Sequence, residues 1–374
     1  MHDSDAATED DTVSAGQAHF LMDRCCDTPA LSYPQDGGCS AGRPQAHATT
    51  HHSRSRTQRP GVTSAVDAES IPFRGTTRSR RWRRVSRGLY VPRADSPRLA
   101  AELVAWRLIL PPSAVFTCLT AAELRGWWLP ATVEHPVFVA VPRSDPHPQR
   151  PGLLVTRHPR AIPAEEIDGL PVASAAETLL ATARYLSVLD LVILGDSALR
   201  LKTCTVEELI KAATHRRRGA PLLRTVIPLL DGRSESPWES VLRVLHRTAD
   251  IDVEPQKEIY DDRGRFVARA DLWLVGTRRI HEYDGEVHRD RAVHRNDLRR
   301  DRRLVEIDWQ HIGFTSSQLV YEGASILAGV DQLLGRRWDP RRLARWEALL
   351  DDSLLRSSGR ARAAHRWSVS PQRH

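Results

Sequence analysis

The chain of 374 residues has almost no lysine. Lys202, Lys211 and Lys257 are all it carries, so nearly all of its 54 basic residues are arginine and its formal charge of +7 is a guanidinium charge. An excess of that sign favours an acidic partner such as nucleic acid, although a GC-rich genome produces the same skew without selection for one. Cysteine is scarce too: Cys25, Cys26, Cys39, Cys118 and Cys204 include no Cys-x-x-Cys pair, which argues against a zinc ribbon or a disulfide framework. No run approaches the roughly 18 to 20 uninterrupted apolar residues that cross a bilayer. The opening MHDSDAATEDD is acidic and lacks the apolar core of a signal peptide. These absences lead to the expectation of a cytoplasmic protein with no membrane contact. Hydrophobic residues still make up 41%, enough for real cores, and the length allows two modest domains with flexible ends.

Residues 1–68 mix Ser, Thr, His, Gly and Pro without an apolar period and are expected to be a disordered tail, with His51 and His52 solvated in it. Residues 69–230 read as a mixed α/β module. It opens on the basic run Arg78, Arg80, Arg81, Arg83 and Arg84, which leads through Gly88 into LYVP. This predicts a wing-like hairpin with its arginines on one side. SPRLAAELVAWRLIL and SAVFTCLTAAELRGWWLP read as helices, the second closed by Gly126, with Trp127 and Trp128 as core residues. HPVFVAVPR and GLLVTRHP read as strands, and TVEELIKAATHR as a helix with a Thr205/Glu208 capping box.

A composition break at DGRSESPWES opens a second unit, residues 231–322, with the order helix, three strands, helix, strand. Further helices and a frayed basic tail are expected over 323–374. The fold class is therefore α+β. In the third strand Glu282 and Asp284 stand two apart, so they share a face at roughly 6 to 7 Å. Asp271 sits inside the apolar run ADLWLV of the strand before, where a lone carboxylate costs desolvation energy. Converging carboxylates raise one another's pKa, and a divalent cation resolves both problems, since Mg²⁺ takes one or two carboxylates and keeps water. With Glu239 on the upstream helix, these residues predict a site for Mg²⁺ or Mn²⁺ held by Asp271 and Glu282, with no small-molecule cofactor. The plainer reading is that Arg269, Arg278 and Arg279 neutralise these acids across the strands. His288, in the turn that follows, is placed to exchange a proton with a phosphate or a water, or simply to cap the next helix. On that helix Asp297, Arg300 and Asp301 share a face: Arg300 is a candidate to hold a phosphate and Asp297 to orient it or His288, while a solvated Asp–Arg ladder is the commoner cause of such spacing.

The blocks ESPWESVLR, EPQKEI, ARADLWL, EYDGEVHR and DLRRDRRL resemble those of the very-short-patch-repair-like endonuclease domain of the PD-(D/E)XK nuclease superfamily. In actinobacterial members this domain follows a module related to abortive-infection antitoxins, which residues 71 to 230 resemble more loosely through RRVSRGLYV, LTAAELRGWWLP and GDSALR. The resemblance implies a restriction-endonuclease-like α-β-β-β-α-β core and Mg²⁺-dependent hydrolysis of DNA. It matches Glu239 to the helical glutamate, Asp271 to the metal-binding aspartate, Glu282 to the strand acid and His288 to the histidine beyond it. Asp284 stands where the superfamily has a lysine, and only IPFRGTTRSRRWRR precedes the wing, so the recognition helix is shortened or missing. A rival expectation is a non-catalytic DNA-binding regulator that keeps the nuclease fold and contacts phosphates through Arg80, Arg81, Arg83 and Arg84.

Overall fold

The computed structural model describes residues 72–93, 99–214, 216–285 and 291–368, with the side chains of 291–298 excepted. The expected tail at 1–68 lies outside them. No described helix is long and apolar enough to cross a membrane. The fold is α+β, with three sheets among the described residues.

The first sheet joins β1 (Phe73–Arg74), β2 (Trp82–Ser86) and β3 (Leu89–Pro92) in the order β1-β3-β2. Gly88, at φ 72°, makes the tight turn that the sequence expects there. Phe73 meets Trp82 edge-on and stacks on Tyr90, which ties the short first strand to the hairpin. The arginines do not share a side. Neighbouring strand residues point to opposite faces, so Arg83 turns inward to an ion pair with Glu102 while Arg84 is exposed. Arg80 and Arg81 precede the strand in the turn at its start.

Glu102 belongs to α1 (Leu99–Arg107). There follow β4 (Val115–Phe116), α2 (Cys118–Leu124), β5 (Val137–Pro142), β6 (Leu153–His158), β7 (Ala164–Ile167) and β8 (Leu170–Ala173), the strands forming a sheet in the order β6-β5-β4-β8-β7. SAVFTCLTAAELRGWWLP is thus not one helix. Val115 and Phe116 pair with Ala140 and Val139 at the centre of this sheet, and only Cys118 onward is helical. Trp127 is buried in the core, as expected.

A helical layer follows: α3 (Ala175–Thr182), α4 (Val188–Arg200), α5 (Val206–Thr214) and α6 (Ala220–Val226). Ser187 and Asp190 form a capping box on α4, and Thr205 and Glu208 exchange the same pair of bonds on α5 (3.0 and 3.3 Å). The expected order then appears: α7 (Pro237–Thr248), β9 (Val253–Tyr260), β10 (Phe266–Leu274), β11 (Arg279–Tyr283), α8 (Arg291–Glu306) and β12 (Gln310–Phe314). The sheet runs β12-β11-β10-β9, antiparallel from β9 to β11 and parallel between β11 and β12, which α8 connects. The two helices cover opposite faces. His281 meets His246 of α7, whereas its neighbour Ile280 packs in a separate cluster with Leu304 of α8.

Four helices close the chain: α9 (Ser316–Tyr321), α10 (Gly323–Leu333), α11 (Pro340–Asp352) and α12 (Ser357–Ser368). The last corrects the expectation of a frayed tail as far as Ser368. Ala363 and Trp367, one helical turn apart, are buried, and Trp367 meets Phe138 of β5 edge-on. One hydrophobic cluster consequently runs from Phe138 through Trp238 and Leu272 to Trp367. Polar bonds cross the same ground. Asp196 of α4 pairs with Arg243 of α7 at 2.5 Å, both wholly buried, and Asp190 accepts from Ser353 Oγ and Leu354 N at 2.6 and 3.0 Å.

A candidate carboxylate site

The site lies where β10 and β11 part. Their ladder pairs Trp273 with Ile280 and Leu272 with His281 and ends there, so the next positions, Asp271 and Glu282, stand opposite each other. With the ladder gone, the Asp271 carboxylate replaces a backbone acceptor: its Oδ2 takes the N–H of Tyr283 at 3.1 Å. The opposing strand is irregular at the same level. Gln256 of β9, between residues that pair with Leu272 and Ala270, has φ 55°, a left-handed backbone that a non-glycine residue adopts at a cost of about 1 to 2 kcal/mol.

Glu239 reaches this place from the first turn of α7. Ser236 caps the helix, accepting from Glu239 N at 3.2 Å, and Pro237 opens it. Trp238 stacks on Tyr283 with ring centroids 5.7 Å apart, which fixes that turn against the end of β11. The Glu239 carboxylate accepts from Gln256 Nε2 at 2.8 Å and from Glu235 N at 2.7 Å. A helix N-terminus favours a negative charge, yet burial and the Glu235 charge leave the Glu239 pKa above the ordinary carboxylate range. Asp271 moves further, up to about 7, because burial strips it of water and Glu239 and Glu282 face it; the Tyr283 N–H and Arg300 offset only part of this.

Glu282 behaves oppositely. Burial acts to raise it, but His311 and Arg300 carry it below its usual value. Arg300 of α8 grips both oxygens, Nη1 donating to Oε2 at 2.8 Å and Nη2 to Oε1. His311 of β12 brings Nε2 within 3.0 Å of Oε2, near enough for an ion pair although the geometry is not that of a good hydrogen bond; its Nδ1 lies 3.4 Å from Asp301. The Glu282 contact raises the His311 pKa against the effect of burial. Asp284 extends the pairing by donating its backbone N–H to Phe314 O at 2.9 Å. Its carboxylate occupies space left bare by Gly313, where a β-carbon would fall 1.8 Å from Oδ2.

Of the predicted site residues, Glu239, Asp271, Glu282 and Arg300 come together, while Asp284 stands two residues beyond Glu282, just past β11 and beside Gly313. His288 lies outside the described residues, as does the side chain of Asp297. Arg80, Arg81, Arg83 and Arg84 belong to the hairpin of the first sheet. The plainer reading fails in its partners. Arg269 pairs with Glu235, Arg278 with Asp308, and Arg279 with Gln310; the guanidinium at the acids is Arg300. Sequence reasoning missed His311 and Gln256. Both were visible as polar residues in strand patterns, but only the pairing of β12 with β11 and the bulge-like backbone at Gln256 aim them at the acids.

The donors suit a hard divalent cation: all are carboxylate oxygens, and burial, with the charge of neighbouring carboxylates, makes Glu239 and Asp271 resist ionisation. The arrangement is less open. Among the described residues no group of three or more His, Cys, Asp or Glu is placed to hold a metal ion, and Arg300 takes the position at Glu282 that a cation would share. Asp271 and Glu282 together meet the one or two carboxylates that Mg²⁺ requires, with Glu239 beside them, once Arg300 yields an oxygen.

No protein-family model matches the chain, and no solved structure gives a significant match. Two uncharacterized proteins of Mycobacterium tuberculosis do: MT2308 of strain CDC 1551 / Oshkosh and Rv2248 of strain H37Rv. Each is 27% identical to the chain over 258 residues, covering 68% of it and 92% of its own length. The chain is thus similar along most of its described length to proteins whose names assign no activity.

Proposed function

We propose that the protein is a metal-dependent endonuclease that hydrolyses phosphodiester bonds in DNA. The observation that carries this reading is the meeting of Glu239, Asp271 and Glu282 at the splayed end of β10 and β11, with Asp271 pushed up to about 7. Perturbed acids of this kind cluster at functional sites, and the resemblance in ARADLWL and EYDGEVHR supports the same assignment. Asp271 and Glu282 would hold Mg²⁺ or Mn²⁺, and Glu239 would orient a water beside it. Such an ion supplies charge neutralisation at the phosphate and a more acidic water. The chain's own part is to hold Asp271 through the Tyr283 N–H, to keep Glu239 aimed through Gln256, and to present Arg300 where a phosphate oxygen can replace Glu282 as its partner. In the reaction a water oxygen bonds to phosphorus, one P–O bond breaks, and the departing oxygen takes a proton. Roles in repair or in defence against phage and mobile elements accord with such an activity.

One observation favours a second reading. Arg300 already neutralises Glu282 through both oxygens, the arrangement expected of a nuclease fold retained for non-catalytic DNA binding. Supercoiled plasmid with millimolar Mg²⁺ or Mn²⁺ separates the two. Cleavage by the natural protein, lost in Asp271→Asn and in EDTA, is the expected result. Band shifts without nicking under either metal assign the regulator.

A further inference from the structure

Away from the carboxylates, beside the edge strand β6, lies a cleft of about 1140 Å³. Its walls are the β5–β6 connection, β6, α3 and the loop between α5 and α6. Seven arginines line it against a single carboxylate, Glu177, and that carboxylate is spent: Arg217 grips both of its oxygens at 2.5 and 2.6 Å. Arg143, Arg160, Arg216 and Arg218 have no carboxylate partner among the described residues, and Arg184 has only the ring of Tyr185, 5.4 Å away. A second cleft of about 940 Å³ shares Arg184 and the arginines at 216–218, and continues to Arg224 and Arg366. Tyr185 and Arg366 line this continuation, Arg366 Nε donating to Tyr185 O at 2.8 Å.

The fold keeps the cations in place despite their repulsion. Gly219 has φ 92°, and a β-carbon there would fall 2.4 Å from Leu180 O, so the loop presses against α3. Arg217 is tied to Glu177 just before it. The exposed Arg216 and Arg218 stand on either side of the tethered Arg217, and Arg218 is held between it and Gly219. His158 on the cleft wall reports the resulting potential: burial, then Arg184 and Arg217, push it down to about 4. Like charges so concentrated and so sparsely paired weaken the compact state unless an anion is received. The two clefts share Arg184 and the arginines at 216–218 and offer about 1140 and 940 Å³, far more room than one phosphate group fills. Guanidinium forks match phosphate oxygens in pairs.

We propose that this arginine-lined cleft is a nucleic-acid track that binds the phosphodiester backbone without reading sequence, through Arg143, Arg160, Arg184, Arg216 and Arg218. It is a separate site from the carboxylates and does not depend on their activity.

The test is fluorescence anisotropy in EDTA with labelled oligonucleotides of scrambled sequence, single- and double-stranded, so that cleavage plays no part. With EDTA present no cleavage is read, which keeps failure of this proposal distinct from failure of the nuclease reading. The double variant Arg216→Ala/Arg218→Ala should bind at least about tenfold more weakly at roughly 0.1 M salt. Its plot of log affinity against log salt should be shallower by about 1.8 for duplex, two phosphate contacts at about 0.9 each. Arg143→Ala/Arg160→Ala should act alike, and Arg341→Ala, exposed on α11, should not. Because the altered arginines have no carboxylate partner among the described residues and repel one another, the melting temperature should not fall. Unaltered affinity and salt slope in both doubles overturn the proposal. So does binding to vesicles rich in phosphatidylserine with none to either oligonucleotide.

Discussion

Replacing Arg243 by methionine should cost about 3 to 5 kcal/mol of stability, the range for removing one partner of a buried ion pair. The structure explains the size. Arg243 Nη2 donates to Asp196 Oδ2 at 2.5 Å, Nη1 donates to Leu229 O at 2.5 Å, and both charged side chains are wholly buried. Asp196 Oδ1 also accepts from Asp231 N at 2.7 Å. Without the guanidinium the carboxylate keeps one backbone donor in a place where burial already raises its pKa against the pull of Arg243. Urea unfolding followed by tryptophan fluorescence reads the loss directly. Asp196→Asn/Arg243→Met, which removes both charges, should lose less than Arg243→Met alone, because no uncompensated carboxylate remains. As the pair joins α4 to α7 across one continuous core, the natural protein should unfold in a single transition. A cost below about 1 kcal/mol would mean that Asp196 is not left as an uncompensated buried charge, and two transitions of which only one moves would mean that α4 and α7 do not share one cooperative core.

Three further outcomes follow from particular contacts. His135 Nε2 stands 3.3 Å from Glu123; burial lowers its pKa, but the Glu123 contact carries it net above the ordinary value. A histidine raised in the folded state adds stability that is complete below about pH 6.5 and fades as pH rises through the raised value, so Glu123→Gln should lower the urea midpoint near pH 5.5 and converge with the natural protein near pH 8.5. Gly219→Ala should cost about 1 to 3 kcal/mol in the same assay, from its left-handed backbone and the crowding at Leu180 O. Gly313→Ala should displace the Asp284 carboxylate and reduce plasmid cleavage more than it reduces the melting temperature.

The second unit was legible because its signals are local. The composition break at DGRSESPWES, the apolar run ADLWLV and the order helix, three strands, helix, strand are all read locally, and they place Glu239, Asp271 and Glu282 on the elements that carry them. The hairpin of β7 and β8 also carried a local signal that the sequence reading did not use: Asp168-Gly169 at φ 51° and 74° is the dipeptide that tight hairpins favour. Other features were beyond local signals. Val115 and Phe116 join a strand only because Ala140, Val139 and Val172 flank them. The helix holding Trp367 looked like a polar tail because its partners, Phe138 and Tyr185, lie far back in the chain. Arg300 was placed on the correct helix face, but its choice of Glu282 over a phosphate depends on how α8 crosses the sheet. The arginine cleft draws on four separate stretches of chain, none of which is unusual alone.

Whether these carboxylates receive a divalent cation is read by calorimetric titration with Mn²⁺. The natural protein should bind the ion, Asp271→Asn should lose that binding, and Arg300→Gln, where the competing guanidinium is gone, should bind about tenfold tighter; tenfold corresponds to about 1.4 kcal/mol. Absence of Mn²⁺ binding in both the natural protein and Arg300→Gln, or equal binding in Asp271→Asn, would contradict the assignment of a metal site.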